Sequence, residues 1–108
     1  MGLEDYLLPG EEIRYQSAEE VKYGGQKYKV IITNKRLLLY ARRGLILKRD
    51  DIISEKIEDI QTLRFKEEGI ILKEGIIEVV TKTRKWQMRG KADGMKALFL
   101  ALQEHLKL

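Results

Sequence analysis

Residue types able to perform covalent or acid–base chemistry are scarce in this chain, which has one His and no Cys. Without Cys there is no thiol nucleophile, no disulfide and no cysteine-ligated zinc or iron–sulfur centre. His105 lies between Glu104 and Leu106, near the end of a segment with helical apolar spacing. An imidazolium there interacts favourably with the helix dipole, so His105 reads as a solvated helix residue and not as a general acid–base group. Asp50-Asp51 and Glu67-Glu68 stand without a nearby His or Cys. These acids read as exposed loop caps, not as general acid–base pairs or a metal site. Gly24-Gly25 lacks the surrounding residues of either glycine-rich phosphate-binding signature. No catalytic residue, cofactor site or metal ligand is assigned, and an enzyme is the least expected class.

The basic residues carry more information. Lys22, Lys27 and Lys29 flank the Gly24-Gly25 turn. On a strand, Lys27 and Lys29 fall on one face, where they can converge on a phosphate or solvate the outer surface of a strand pair. Arg42 and Arg43, with Lys48-Arg49 close behind, form a second group that can bind an anion or pair with Asp50-Asp51. Lys22, Lys27, Lys29, Arg42 and Arg43 are therefore the candidate anion-binding residues. The net charge of +4 is the remainder of alternating blocks: −5 over residues 1–20, +8 over 21–50, −4 over 51–80 and +5 over 81–108. This alternation includes no basic tail. Single-strand nucleic-acid binding needs a basic groove with several exposed aromatics. Tyr28, Tyr40, Phe65, Trp86 and Phe99 fall at core-facing positions, leaving Tyr15 and Tyr23 as candidate stackers. Nucleic acid is thus the weakest of the binding readings.

The elements that position these residues are mostly strands. A length of 108 residues with 44% hydrophobic and 35% charged composition fits a single folded domain over 1–108. The Lys, Glu and Ile bias, with Asn34 the only Asn, resembles thermophile composition built on surface ion pairs. Short Ile/Val/Leu/Tyr/Thr runs punctuated by Gly or charged pairs predict about seven antiparallel strands over 11–90. The expected strands cover 12–23, irregular near Ser17-Ala18, then 27–33 and 36–41. A kinked segment follows over 45–57, then 57–66, a short piece at Ile70-Ile71-Leu72, and finally 76–81 and 84–89. From Asp93, a plausible N-cap, the period becomes helical, with Met95, Leu98, Phe99, Leu102 and Leu106 on one stripe to residue 106. Residues 3–8 suit one turn of helix before Pro9. No internal repeat, low-complexity tract or linker is evident. No segment has the length of apolar residues that a membrane span needs, and the acidic N-terminus does not resemble a signal peptide.

Two stretches carry a family resemblance. Leu8-Pro9-Gly10-Glu11-Glu12-Ile13 resembles the PGE opening of the prokaryotic pleckstrin-homology-like and GRAM-like families. Val30-Ile31-Ile32-Thr33-Asn34-Lys35-Arg36-Leu37-Leu38-Leu39 resembles their (V/L)-x-(I/L)-T-x-x-R-(L/I) hairpin, and residues 53–60 are similar to the segment that follows. The resemblance implies a mainly β fold, an open barrel or sandwich of about seven antiparallel strands closed by one C-terminal amphipathic helix. The hairpin residues Thr33, Asn34, Lys35, Arg36 and Leu37 have a mainly structural reading. Asn34 tolerates the left-handed conformation, Arg36 can reach back to an acid or carbonyls, and Leu37 faces the core. Lys22, Lys27 and Lys29 are similar in spacing to the phosphoinositide signature of eukaryotic pleckstrin-homology domains, with Lys29 where that signature has Arg, so the bidentate fork is missing. A hairpin around 67–75 is a departure from the family. The expected function is a non-enzymatic interaction module without cofactors, serving protein–protein assembly or self-association as a homo-oligomer. Leu100 and the extra hairpin are its candidate contact points. Docking on anionic phospholipid through the basic hairpins is the alternative, and weak nucleic-acid binding comes last. A cytoplasmic place, peripheral to a membrane in the alternative reading, goes with these functions.

Overall fold

The computed structural model describes residues 2–107. Its strands are β1 (Ile13–Gln16), β2 (Val21–Tyr23), β3 (Gln26–Thr33), β4 (Arg36–Arg43), β5 (Arg49–Lys56), β6 (Ile60–Glu68), β7 (Glu74–Thr81) and β8 (Lys85–Lys91). The helix α1 (Ala92–Leu106) ends the fold, and single 3-10 turns occupy Leu3–Tyr6 and Ile57–Asp59. All pairings are antiparallel, in the order β5-β4-β3-β2-β8-β7-β6, with β1 also on β3. The strand count exceeds the expected seven because the first strand is broken. Both β1 and β2 pair with β3, and at the break the Ser17 hydroxyl accepts the Val30 N–H at 3.0 Å while donating to Glu19 O at 2.8 Å. A buried backbone group that loses its ladder partner needs such a substitute. Gly24 and Gly25, at φ 58° and 79°, turn β2 into β3 as a tight hairpin requires.

Alternation along the strands builds two apolar layers. Val30, Ile32, Leu37, Leu39, Ala41, Leu63, Ile77, Val79, Trp86 and Met88 meet α1 in the main core. The other face of β3 and β4 is also covered, since Ile31 and Leu38 pack against Leu3, with Ile13, Tyr40 and Ile52 around them. The N-terminal 3-10 turn supplies that cover, which explains why β4 is apolar on both faces. Tyr40 is core-facing as expected, but towards this outer cluster and not towards α1.

Met95, Leu98, Leu102 and Leu106 of α1 are buried as the stripe predicts. The helix starts at Ala92 after an extended Lys91 that caps it without a side-chain hydrogen bond. Asp93 is thus in the first turn and is not the N-cap. The physical reason is that β8 runs straight into the helix, and the Ala92 N–H is already taken by Lys73 O at 3.4 Å.

The segments around the polar pairs differ from expectation in a consistent way. Arg42 and Arg43 belong to β4, and the turn after them covers 44–48. Asp50 and Asp51 lie in β5, directly across from Arg42 and Ala41, and are not loop caps. Ile70-Ile71-Leu72 is no strand but the tip of the β6–β7 hairpin, whose ladder closes at Glu68 and Glu74. These apolar residues look like strand in sequence because turns are normally polar.

Candidate interaction surfaces

The hairpin motif is engaged within the chain. Arg36 donates through Nε and Nη2 to both carboxylate oxygens of Glu11 at 2.9 and 2.7 Å, and through Nη2 to Tyr6 O at 2.8 Å. The Thr33 hydroxyl donates to Glu11 at 2.6 Å and accepts the Lys35 and Arg36 N–H groups. Lys35 Nζ reaches Pro9 O at 2.8 Å, and Leu37 is in the core. Asn34 accepts the Glu12 N–H at 2.7 Å and donates to Gly10 O at 3.0 Å. Its backbone is not left-handed, since Lys107 is the one non-glycine at positive φ among the described residues. Asn34 holds the turn through its amide, not through the conformation expected of it. The Glu11 side chain is 0% exposed, and the Arg36 guanidinium, against the opposing effect of burial, holds its carboxyl down at about 2. This cluster fastens residues 6–12 to the β3–β4 turn.

The candidate anion-binding residues divide into two sets. Lys22 lies directly opposite Lys27 on one side and Arg89 on the other, and Lys29 follows two residues along on the same face. No acid pairs with Lys22, Lys27 or Lys29 among the described residues. Arg42 and Arg43 instead meet the β5 aspartates, Arg42 with Asp50 at 3.3 Å and Arg43 with Asp51 at 3.4 Å. Hydroxyls from Tyr6 and Tyr40 also reach Asp50, at 2.7 and 2.9 Å. The Tyr6 hydrogen bond is the main cause holding the Asp50 carboxyl below its ordinary range. Tyr28 donates to Asp51 at 2.8 Å under the Arg43 guanidinium, which lies 4.9 Å from the ring centre. Burial, more than the neighbouring aspartates, raises the Tyr28 and Tyr40 phenols.

The aromatics expected as stackers are packed. Tyr15 lies 5.5 Å from the His105 ring, and Tyr23 sits edge-on to Trp86 at 5.3 Å. Glu55 of β5 accepts the Trp86 Nε1–H at 3.2 Å and the Arg84 Nε–H at 3.1 Å. That contact joins the last residues of β5 to the start of β8, strands far apart in the pairing order, and draws the curled sheet together. No cluster able to hold a metal ion occurs among the described residues.

The most exposed apolar surface lies on two hairpin tips, of which the extra hairpin around 67–75 was an expected contact point and the β4–β5 tip was not. Leu45, Ile46 and Leu47 are 96%, 92% and 82% exposed at the β4–β5 turn, and Ile70, Ile71 and Leu72 are 94%, 92% and 88% exposed at the β6–β7 turn. Both turns begin with a glycine near φ 100°, Gly44 at 98° and Gly69 at 101°. A Cβ on either would collide with the carbonyl oxygen three residues on, so both tips need glycine there. Leu100 on α1 is also exposed, at 62%. The signal lay in the sequence as a glycine followed by three aliphatics and a lysine, present twice.

With this geometry in place, the chain can be compared with known proteins. It superposes on a crystal structure of a pleckstrin homology domain from Shewanella amazonensis SB2B with a TM-score of 0.68, covering 98% of this chain and 93% of that one at 14% sequence identity. The chain has the pleckstrin-homology fold. No protein-family model matches it, and neither does any curated protein. In this chain β3 pairs with β1, β2 and β4, and β2 in turn meets β8, so β3 and β2 link the two halves of the sheet. Among the described residues no helix is long and apolar enough to cross a membrane.

Proposed function

We propose that this pleckstrin-homology-like chain is a non-enzymatic interaction module used for protein–protein assembly, and for self-association first. The observation that carries the reading is the set of large aliphatic side chains, 82–96% exposed, on the two loop tips. Water-exposed aliphatics grouped this way mark contact sites. The β5 and β6 edges at the two ends of the sheet order offer further backbone groups for pairing. Sedimentation velocity from about 10 µM to about 1 mM tests the reading, since contacts below roughly 1,200 Å² are weak. A mass that climbs with concentration is expected, and a strict monomer throughout would overturn it.

A second reading, docking on anionic phospholipid, is favoured by one specific observation. Lys22 and Lys27 are direct cross-strand neighbours, and like charges so placed repel unless an anion lies between them. Lys29 extends the pair and Arg89 flanks it, although Arg89 is shared with Glu74 at 3.0 Å. Co-sedimentation with phosphatidylserine vesicles at low salt, repeated with Lys22, Lys27 and Lys29 changed to Ala, checks this. Binding that disappears in the variant supports it, and no binding or an unaltered variant removes it. Location at a membrane surface follows the second reading and a cytoplasmic place the first. Nucleic acid draws no support from the aromatics, because Tyr15 and Tyr23 already have ring partners.

A further inference from the structure

The two exposed tips belong to octapeptides that are alike in all but charge. Arg42-Arg43-Gly44-Leu45-Ile46-Leu47-Lys48-Arg49 and Glu67-Glu68-Gly69-Ile70-Ile71-Leu72-Lys73-Glu74 share Gly, Ile, Leu and Lys at matching positions, with Leu45 answering Ile70. The remaining positions exchange Arg for Glu throughout. The likeness extends to conformation. Arg43 pairs across its hairpin with Arg49, and Glu68 pairs across its own with Glu74, in the same register around the same positive-φ glycine.

Each hairpin neck therefore sets like charges directly opposite one another, an arrangement that costs stability. Counter-ions within the chain relieve it only in part. Arg43 has Asp51 at 3.4 Å, while Glu68 and Glu74 share Arg89 at 3.7 and 3.0 Å, and Lys66 stands 3.8 Å from Glu68. Arg49, Lys48 and Glu67 have no ion-pair partner among the described residues. What each neck lacks, the other supplies.

Strand polarity puts the two tips at opposite ends. With every neighbouring pair antiparallel, β4 runs with β2 and β7, whereas β6 runs with β3 and β8. The β4–β5 tip thus lies at the Gly24-Gly25 end of the strands. The β6–β7 tip lies at the end where α1 begins, held there by the Ala92 N–H on Lys73 O. No ion pair joins the two necks within one copy among the described residues.

We infer that the two tips bind each other between copies, the basic tip of one chain against the acidic tip of the next, so that the chain assembles head to tail. The occupant of each apolar tip is the other tip of a second copy, which buries the aliphatics and faces the arginine neck with the glutamate neck. A contact between unlike surfaces leaves a free tip at each end and propagates into a ring or a filament. Two three-residue tips fall short of the roughly 1,200 Å² of a standard interface, so each junction is weak alone and concentration drives it. This inference rests on the self-association reading above.

The test uses the full chain and two tip variants, L45S/I46S/L47S and I70S/I71S/L72S, followed by sedimentation velocity. The substituted side chains are 82–96% exposed, so the fold does not depend on them. Wild type is expected to grow past a dimer as concentration rises. Each variant alone keeps one good tip and stays monomeric, while an equimolar mixture of the two forms a dimer and nothing larger. Raising salt from about 50 mM to about 500 mM weakens the contact, because opposite charges meet in it. Wild-type association that survives in both variants would overturn the tip assignment and leave self-association standing, whereas a monomeric wild type would overturn both. Wild type that levels off at a dimer, variants of which only one loses association, or a contact that tightens with salt would each point to like-with-like pairing and refute the head-to-tail arrangement.

Discussion

Changing Glu11 to Gln removes the charge at the centre of the β3–β4 fastening and tests how that cluster contributes to stability. The Glu11 carboxylate accepts from Leu8 N, Thr33 Oγ1 and twice from Arg36, and its carboxyl is lowered from 4.5 to about 2. A folded-state value below the unfolded one means stability that is complete above the unfolded value and lost as pH falls through the folded one. The window therefore runs from about 4.5 down to about 2, and the full difference corresponds to about 3 kcal/mol at neutral pH. By about pH 3 the same relation leaves only about 1 kcal/mol. Glutamine keeps one acceptor oxygen and turns an amide donor towards groups that are donors themselves. Urea denaturation of wild type and E11Q at about pH 7 and about pH 3 should show a penalty of about 3 kcal/mol or more that shrinks by about 2 kcal/mol at the lower pH. A penalty of equal size at both values would refute the charge-based account and leave only packing.

Two further perturbations probe the closure of the barrel and the seat of the helix. Glu55→Ala leaves the Trp86 Nε1–H without its acceptor and should cost about 1–3 kcal/mol. Trp86 is the only Trp, so its emission should also move to longer wavelength, and unchanged emission with unchanged stability would contradict the contact. An added Cβ at Gly75 would lie 2.6 Å from Met95 Cβ, while at Gly90 it would lie 2.8 Å from Met95 Sδ. Gly75→Ala should therefore cost about 2–3 kcal/mol by pushing on the helix near its backbone, and Gly90→Ala less, because the thioether end can move. Thermal melts check the order, and equal costs would disprove it.

Much of the fold was legible because alternation and periodicity are local. Val30 and Ile32 against Lys27 and Lys29 mark a half-buried strand, and Met95, Leu98, Leu102 and Leu106 mark a helix face. The break at Ser17-Ala18 was readable as an irregularity, although not as two strands, because one of its substitute hydrogen bonds comes from Val30 on the neighbouring strand. The Arg36 contact was legible in kind, an acid or carbonyls within reach, but the acid's identity depended on where Glu11 returns. The pairing of Arg42 with Asp50 follows from a hairpin register that places them opposite, whereas Arg43 reaches Asp51 diagonally from its place across from Arg49. What escaped were features in which position in space overrides type. Asp50 draws on Tyr6 from a distant segment, Glu55 reaches Trp86 across the closure, and Leu45 and Ile70 belong by composition to a core they never enter.

Those tip residues raise a question that the fold does not answer from within. Both hairpins would close equally well on polar turn residues, which avoid the cost of holding Leu, Ile and Leu in water. Gly44 and Gly69 are explained by backbone conformation, but the aliphatics that follow them stay 82–96% exposed. The main core is built from other residues, and the outer face of β3 and β4 is covered by the N-terminal turn. Nor does chance composition suit a motif repeated with Arg exchanged for Glu at three matching positions and its Lys kept. A sequence feature with a cost to the isolated chain is what the self-association proposal accounts for. On the head-to-tail proposal the opposed necks name that contact: the arginine neck of one copy would face the glutamate neck of the next, which the chain carries at the other end of its strands.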